Sequence, residues 1–184
     1  MKFSKFILIK IFFILIGSQF LFNVSKANAA EEIKIIYSIF SRTIKVNSLK
    51  TFAEEGKSTK KLRRILKATK SSDEEIRSVL NKNFEIPITI ASKLVYSEIG
   101  TVFLTRLSSI VHPPRADDEK TGLLALRSSV IQGINLGNGN INLITFFEGY
   151  PTKTVILDVN ALSKVMNKVE SISELLEFFT NSPL

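Results

Sequence analysis

Ile33-Lys34-Ile35-Ile36-Tyr37 is followed by a short break at Ser38-Ile39-Phe40-Ser41 and then by Arg42-Thr43-Ile44-Lys45-Val46. Two runs rich in β-branched residues, separated by a few residues, predict a β-hairpin. A third run, Thr154 to Val159, follows Pro151 and places Val155, Leu157 and Val159 on one face. Almost everything between these strands carries helical signals instead. Asn47 or Ser48 caps a short helix with Leu49, Phe52 and Ala53 inward, stopped by Gly56. Ser58 or Thr59 opens a second helix to Thr69, and Ser72 with Glu75 forms a capping box for a third, which carries Ile76, Val79 and Leu80. Pro87 starts the next helical segment, with Ile90, Leu94 and Val95. Ser97-Glu98 restarts a longer helix running through Ile99, Val102, Phe103, Leu107, Ile110 and Val111 to Pro113-Pro114.

Asp117-Asp118 caps a further helix whose Leu123, Leu124, Leu126, Val130 and Ile131 precede Gly133. Gly137-Asn138-Gly139-Asn140 is a loop before a short helix through Phe146-Phe147. A final helix shows Leu162, Val165, Met166, Val169, Leu176 and Phe179 as one apolar stripe. The expected fold class is therefore α+β and mostly helical. It is a multi-helix bundle with a small antiparallel sheet, formed by the N-terminal hairpin and the strand near 154–159.

The N-terminus reads as a separate unit. Lys2, Lys5 and Lys10 precede a mostly apolar stretch, Ile11 to Phe22, and Ala27-Asn28-Ala29 supplies small residues before Glu31-Glu32. That order predicts a secretory signal peptide over 1–29, cleaved near Ala29, with one helical accessory domain over 30–184. Lys10, Gln19 and Asn23 interrupt the run, which argues against a membrane span of about 18 or more apolar residues. A tether that is never removed is the competing reading. Export to the periplasm or to the thylakoid lumen is the expected localisation. Cleavage would leave 21 basic and 17 acidic side chains. The chain contains no cysteine, so disulfides, thiol nucleophiles and thiolate metal sites are excluded.

Chemistry-bearing motifs are scarce. His112 is the single histidine, and HExxH and G-x-S-x-G are both absent. A catalytic reading would have to unite His112 with Ser108 or Ser109; a histidine at a helix end is the simpler one. Gly56-Lys57-Ser58 resembles the end of a phosphate loop, but Thr51 stands where its first glycine belongs. Asp73-Glu74-Glu75 and Asp117-Asp118-Glu119 sit at expected helix starts, where acids offset the helix dipole. No cofactor and no metal is expected.

One segment stands out. Lys57, Lys60, Lys61, Arg63, Arg64, Lys67 and Lys70 put seven cations into residues 57–70 with no acid. Leu62, Ile65, Leu66 and Thr69 share one helical arc, which leaves the cations on the other side. Such a face is either solvated surface or an electrostatic contact. Nucleic acid is not expected, because no aromatic residues interleave to stack bases. An anionic membrane surface or an acidic patch on a protein partner fits.

The segments Ile33 to Tyr37 with Arg42 to Val46, Leu49 to Gly56, Leu94 to Leu107, Ala125 to Ser129, and Ile141 to Val159 together resemble a known family. It is the cyanobacterial alpha/beta-hydrolase-associated domain of unknown function. The resemblance implies an exported domain that precedes a hydrolase domain, which would begin where this chain reaches Leu184. It implies an exported hydrolase as a candidate partner and transfers no functional residues. The expected function is a non-catalytic accessory or interaction domain; the alternative is an esterase-like enzyme with an unrecognised site.

Overall fold

Four strands and the helices packed on them give the molecule its frame. The structure, a computed structural model, describes residues 29–68, 72–115 and 118–166. Strands β1 (Glu32–Tyr37) and β2 (Phe40–Lys45) pair antiparallel from Glu32↔Lys45 to Tyr37↔Phe40. This register tightens the expected break to a two-residue turn, Ser38-Ile39. Next come helices α1 (Val46–Glu55), α2 (Lys60–Ala68) and α3 (Asp73–Asn81), and the two-residue strand β3 (Phe84–Glu85). Helices α4 (Ile88–Tyr96) and α5 (Glu98–Leu107) lead to β4 (Val111–His112) and the long helix α6 (Glu119–Leu136). Strand β5 (Asn140–Ile141), helix α7 (Leu143–Glu148), strand β6 (Thr154–Asp158) and helix α8 (Val159–Met166) complete the described order.

The mostly helical α+β class stands, as does the sheet built on the N-terminal hairpin and the strand near 154–159. Two details of the sheet depart from the expectation. Its order is β2-β1-β6-β4, and β6 runs parallel to β1, with Ile33 opposite Val155, so the sheet is mixed rather than antiparallel. Parallel neighbours need a long crossover, and the helices between Val46 and Glu148 supply one. The expected long helix through Val111 ends at Leu107 instead, and Val111-His112 becomes an edge strand against Leu157 and Ile156. His112 precedes Pro113, whose ring disfavours helical backbone at the residue before it. With strands on both sides, β6 buries Val155 and Ile156, which point to opposite faces. Residues 84–85 and 140–141 pair as a second small sheet that the sequence pattern did not announce.

Local signals account for most helix boundaries. Ser72 Oγ accepts from Glu75 N at 3.1 Å while a Glu75 carboxylate oxygen accepts from Ser72 N at 2.8 Å, completing the capping box of α3. Asn142 with Thr145 forms a second capping box at α7, while Ser97 and Asp118 cap α5 and α6 by accepting from Gly100 N and Thr121 N. Gly56 ends α1 in the left-handed conformation at φ 73°. Gly133 does not end α6, as its position suggests, but lies within it. A Cβ at Gly149 would lie 2.6 Å from Gly133 N and 2.9 Å from Ser129 O, so the two glycines let α6 and the end of α7 meet backbone to backbone. Ser129, fully buried, fixes that contact by donating to Phe146 O.

The core runs from Ala30 and Ile33 through Phe52, Leu62, Leu104 and Leu126 to Tyr150 and Val155. Val79, Ile90, Leu94, Ile99 and Leu124, which share the apolar periodicity, are exposed. Residues 1–28 of the expected signal peptide 1–29 and the stripe residues Val169, Leu176 and Phe179 lie outside the described residues.

Candidate functional site

Helix α2 carries the cationic face. Thr59 caps it, its Oγ1 accepting from Leu62 N at 3.2 Å and its carbonyl from Arg63 N at 2.9 Å. Leu62 and Leu66 are 1% and 7% exposed, and Ile65 is half-buried, so the apolar arc docks on the core as its spacing predicts. Lys57, Lys60, Lys61, Arg63, Arg64 and Lys67 are all exposed; Lys70 lies outside the described residues.

The helix is poorly built for its own electrostatics. Its first turn contains no acid and begins with Lys60 and Lys61, which oppose the helix dipole. Lys60 with Arg64, and Arg63 with Lys67, are like-charge pairs four residues apart, each unfavourable by roughly 0.2–0.5 kcal/mol. Burying Leu62 and Leu66, at about 1.5–3 kcal/mol each, outweighs those terms. Lys57 Nζ reaches a Glu55 carboxylate oxygen at 2.8 Å, and Arg63 Nε donates to Ser58 Oγ at 3.2 Å. Both of these pairs lie at the surface, where such contacts contribute little and leave the positive field largely intact. Helix α2 is a docked scaffold for charge.

The other candidates resolve into structural roles. His112 lies on β4 rather than at a helix end, with Nδ1 2.9 Å from Pro113 O. The Ser108 hydroxyl donates to Thr105 O at 2.6 Å and that of Ser109 to Arg106 O at 2.8 Å. Each hydroxyl is thus tied to a carbonyl of the preceding turn, and the imidazole Nδ1 is directed to the Pro113 carbonyl instead. Gly56-Lys57-Ser58 joins two helices, whereas a phosphate loop joins a strand to a helix. Gly137-Asn138-Gly139 is the turn between α6 and β5, with Asn138 and Gly139 at positive φ. Asp73, Glu74 and Glu75 occupy the first turn of α3. Asp118 Oδ1 accepts from Thr121 N at 2.6 Å, and hydrogen bonding to the Thr121 side chain, then to this N–H, holds its carboxyl below the usual range. Among the described residues no group of three His, Asp or Glu side chains could hold a metal ion, and no helix is long and apolar enough to cross a membrane.

Two polar ties escaped the sequence reading because their partners are far apart in the chain. Arg127 on α6 donates from Nε to Val95 O at 2.8 Å and from Nη2 to Thr101 Oγ1 at 2.6 Å, and lies 4.6 Å from the Tyr96 ring centroid. It therefore fastens α4 and α5 to α6. Lys50 Nζ and Glu148 Oε1, 2.9 Å apart, join α1 to α7. The hydrogen bond to Glu148 raises the Lys50 pKa, and partial desolvation opposes it.

Residues 29–158 match the family described as alpha/beta hydrolase of unknown function (DUF1400). The chain belongs to this family. The DUF1400 match runs from the residues before β1 to the end of β6, so it takes in the whole four-stranded sheet and α2. No curated protein and no solved structure matches the chain. The family description carries the word hydrolase, yet the G-x-S-x-G elbow of that fold occurs nowhere in this sequence.

Proposed function

We propose that this DUF1400 domain is an exported, non-catalytic accessory module that contacts an anionic membrane surface through α2. The exposed cations of α2, held in place by Leu62 and Leu66, carry this reading. Each Lys or Arg close to an anionic leaflet contributes about 1 kcal/mol, so several on one rigid face suffice for a salt-sensitive contact. The order of charged, apolar and small residues over 1–29 supports export. The test is co-sedimentation with anionic and with neutral vesicles at low and high salt. Salt-sensitive pelleting with anionic vesicles alone is the expected result. Reversing Arg63, Arg64 and Lys67 to Glu should lower the affinity at least about a hundredfold. Equal pelleting of the reversed and unsubstituted chains would remove α2 from the reading.

The resemblance to a domain that accompanies a hydrolase suggests one second reading, in which the same face docks on the acidic surface of a separate exported hydrolase. Co-purification of a hydrolase with the unsubstituted chain, lost in the reversed one, would decide for it.

A further inference from the structure

The β1–β2 turn is the most exposed apolar point of the described molecule. Ile39 is 88% exposed, Tyr37 62% and Phe40 60%. Tyr37 and Phe40 are the last pair of the hairpin register, so their side chains share one face, and Ile39 stands at the turn between them. A cross-strand aromatic pair stabilises a hairpin end, by roughly 0.2–1 kcal/mol, and that accounts for Tyr37 and Phe40. It does not account for Ile39. Two-residue hairpin turns favour Gly, Asn and Asp, whereas this one uses Ser38 at φ 51° followed by a β-branched residue open to water.

The turn is also braced. Ser38 N donates to Asn160 Oδ1 at 2.8 Å, and Asn160 is held at the start of α8, where its own N–H donates to Asp158 Oδ1 at 2.8 Å. A hydrophobic point fixed in this way loses little conformational freedom when it is covered.

On the two strands the charged side chains nearest the tip are cationic, Lys34 and Arg42, while the neighbouring acid, Asp158 opposite Ile36, is engaged in accepting from the N–H groups of Asn160 and Ala161. Over residues 33–72 there are 11 basic and 2 acidic side chains, whereas the rest of 30–184 holds 10 basic and 15 acidic. The apolar tip thus rises from the positive segment of an otherwise acidic chain. Aromatic and aliphatic side chains beside cations, on a protruding and polar-flanked element, match the interfacial layer of an anionic bilayer.

We propose that the Tyr37-Ser38-Ile39-Phe40 turn is a lipid-inserting wedge, which enters the headgroup and upper acyl region of an anionic membrane while Arg42 and Lys34 meet the phosphates. The proposal rests on the membrane reading of α2 and adds a hydrophobic contact to its electrostatic one. The sequence contains no tryptophan, so Ile39→Trp creates a single local reporter at a position that is already exposed. Leu136→Trp, exposed at the end of α6, is the control.

With vesicles of phosphatidylglycerol and brominated lipid, Ile39→Trp should shift to the blue and be quenched, and Leu136→Trp should do neither. Substituting Ile39→Ser together with Phe40→Ser should weaken vesicle binding about tenfold or more, with the circular dichroism of the fold retained. Pelleting of the protein with Trp at position 39 still in water would overturn the wedge and leave the α2 contact standing. Quenching at position 39 in a chain whose α2 reversal has no effect would support the wedge and overturn the α2 reading. Absence of pelleting overturns both. A blue shift without lipid, growing with protein concentration, would assign the tip to self-association and overturn the proposal.

Discussion

Tyr150 is fully buried, its ring edge-on to Phe146 at 6.4 Å, and no described residue bonds its hydroxyl. A buried hydroxyl without a partner costs about 1–3 kcal/mol. Tyr150→Phe keeps the ring and removes that cost, so chemical denaturation should show unchanged or higher stability, by about 1 kcal/mol. Burial also pushes the Tyr150 phenol above its ordinary value. Below about pH 10 both the native and the unfolded chain hold this proton, and it has no effect on the balance. Above that value the unfolded chain releases it while the native chain keeps it. Stability should therefore fall with rising pH by about 1.4 kcal/mol per unit on account of this residue, and Tyr150→Phe should remove that part of the slope. Gly149 is the opposite case. Its Cβ would press on Gly133 N and Ser129 O, which are backbone atoms and have no rotamer in which to yield. Gly149→Ala should cost about 3 kcal/mol and show as a lowered denaturation midpoint.

At the scale of elements, α2 separates stability from binding. Lys60 opens a helix whose first turn has no acid, and it faces a like charge at Arg64. Lys60→Glu repairs the dipole mismatch and adds an attractive pair, so thermal denaturation should show a gain of about 0.5 kcal/mol. The same change should weaken binding to anionic vesicles. A single substitution that stabilises the fold while lowering affinity is expected only if the cations of α2 serve a contact rather than the fold. The cationic face and the caps at Ser72 and Asp118 were legible because both are local, fixed by spacings of three or four residues. Strand β4 was not, since two residues are too few for an alternating pattern, and the Pro113 effect on His112 competed with the helical spacing of Ile110 and Val111. The direction of β6 depends on how a hundred residues fold between it and β2, which no local pattern reports. Gly133 carried the ordinary stop signal but serves a close approach made by Gly149, sixteen residues further on. The hairpin tip was visible as residues and overlooked as a surface, because exposure at a turn follows from the register and not from composition.

Across the whole molecule the decisive question is whether location or net charge governs binding. A chain with a positive excess over 30–184 would be drawn weakly to any anionic surface, wherever its cations lay. The asymmetry of charge along the sequence predicts otherwise. Residues 33–72 carry the excess, while the remainder is acidic and would be repelled by the same surface. Lys93, Lys120 and Lys164 are exposed and lie in that remainder. Reversing these three to Glu changes the net charge as much as reversing Arg63, Arg64 and Lys67. Surface fields decay within about 8 Å at physiological salt, so charges outside the contact contribute little once the domain is oriented. The Lys93, Lys120 and Lys164 variant should therefore pellet with anionic vesicles nearly as well as the unsubstituted chain, and the α2 variant should remain in the supernatant. Equal loss in both would mean that the chain responds to total charge, and the oriented contact through α2 would fall.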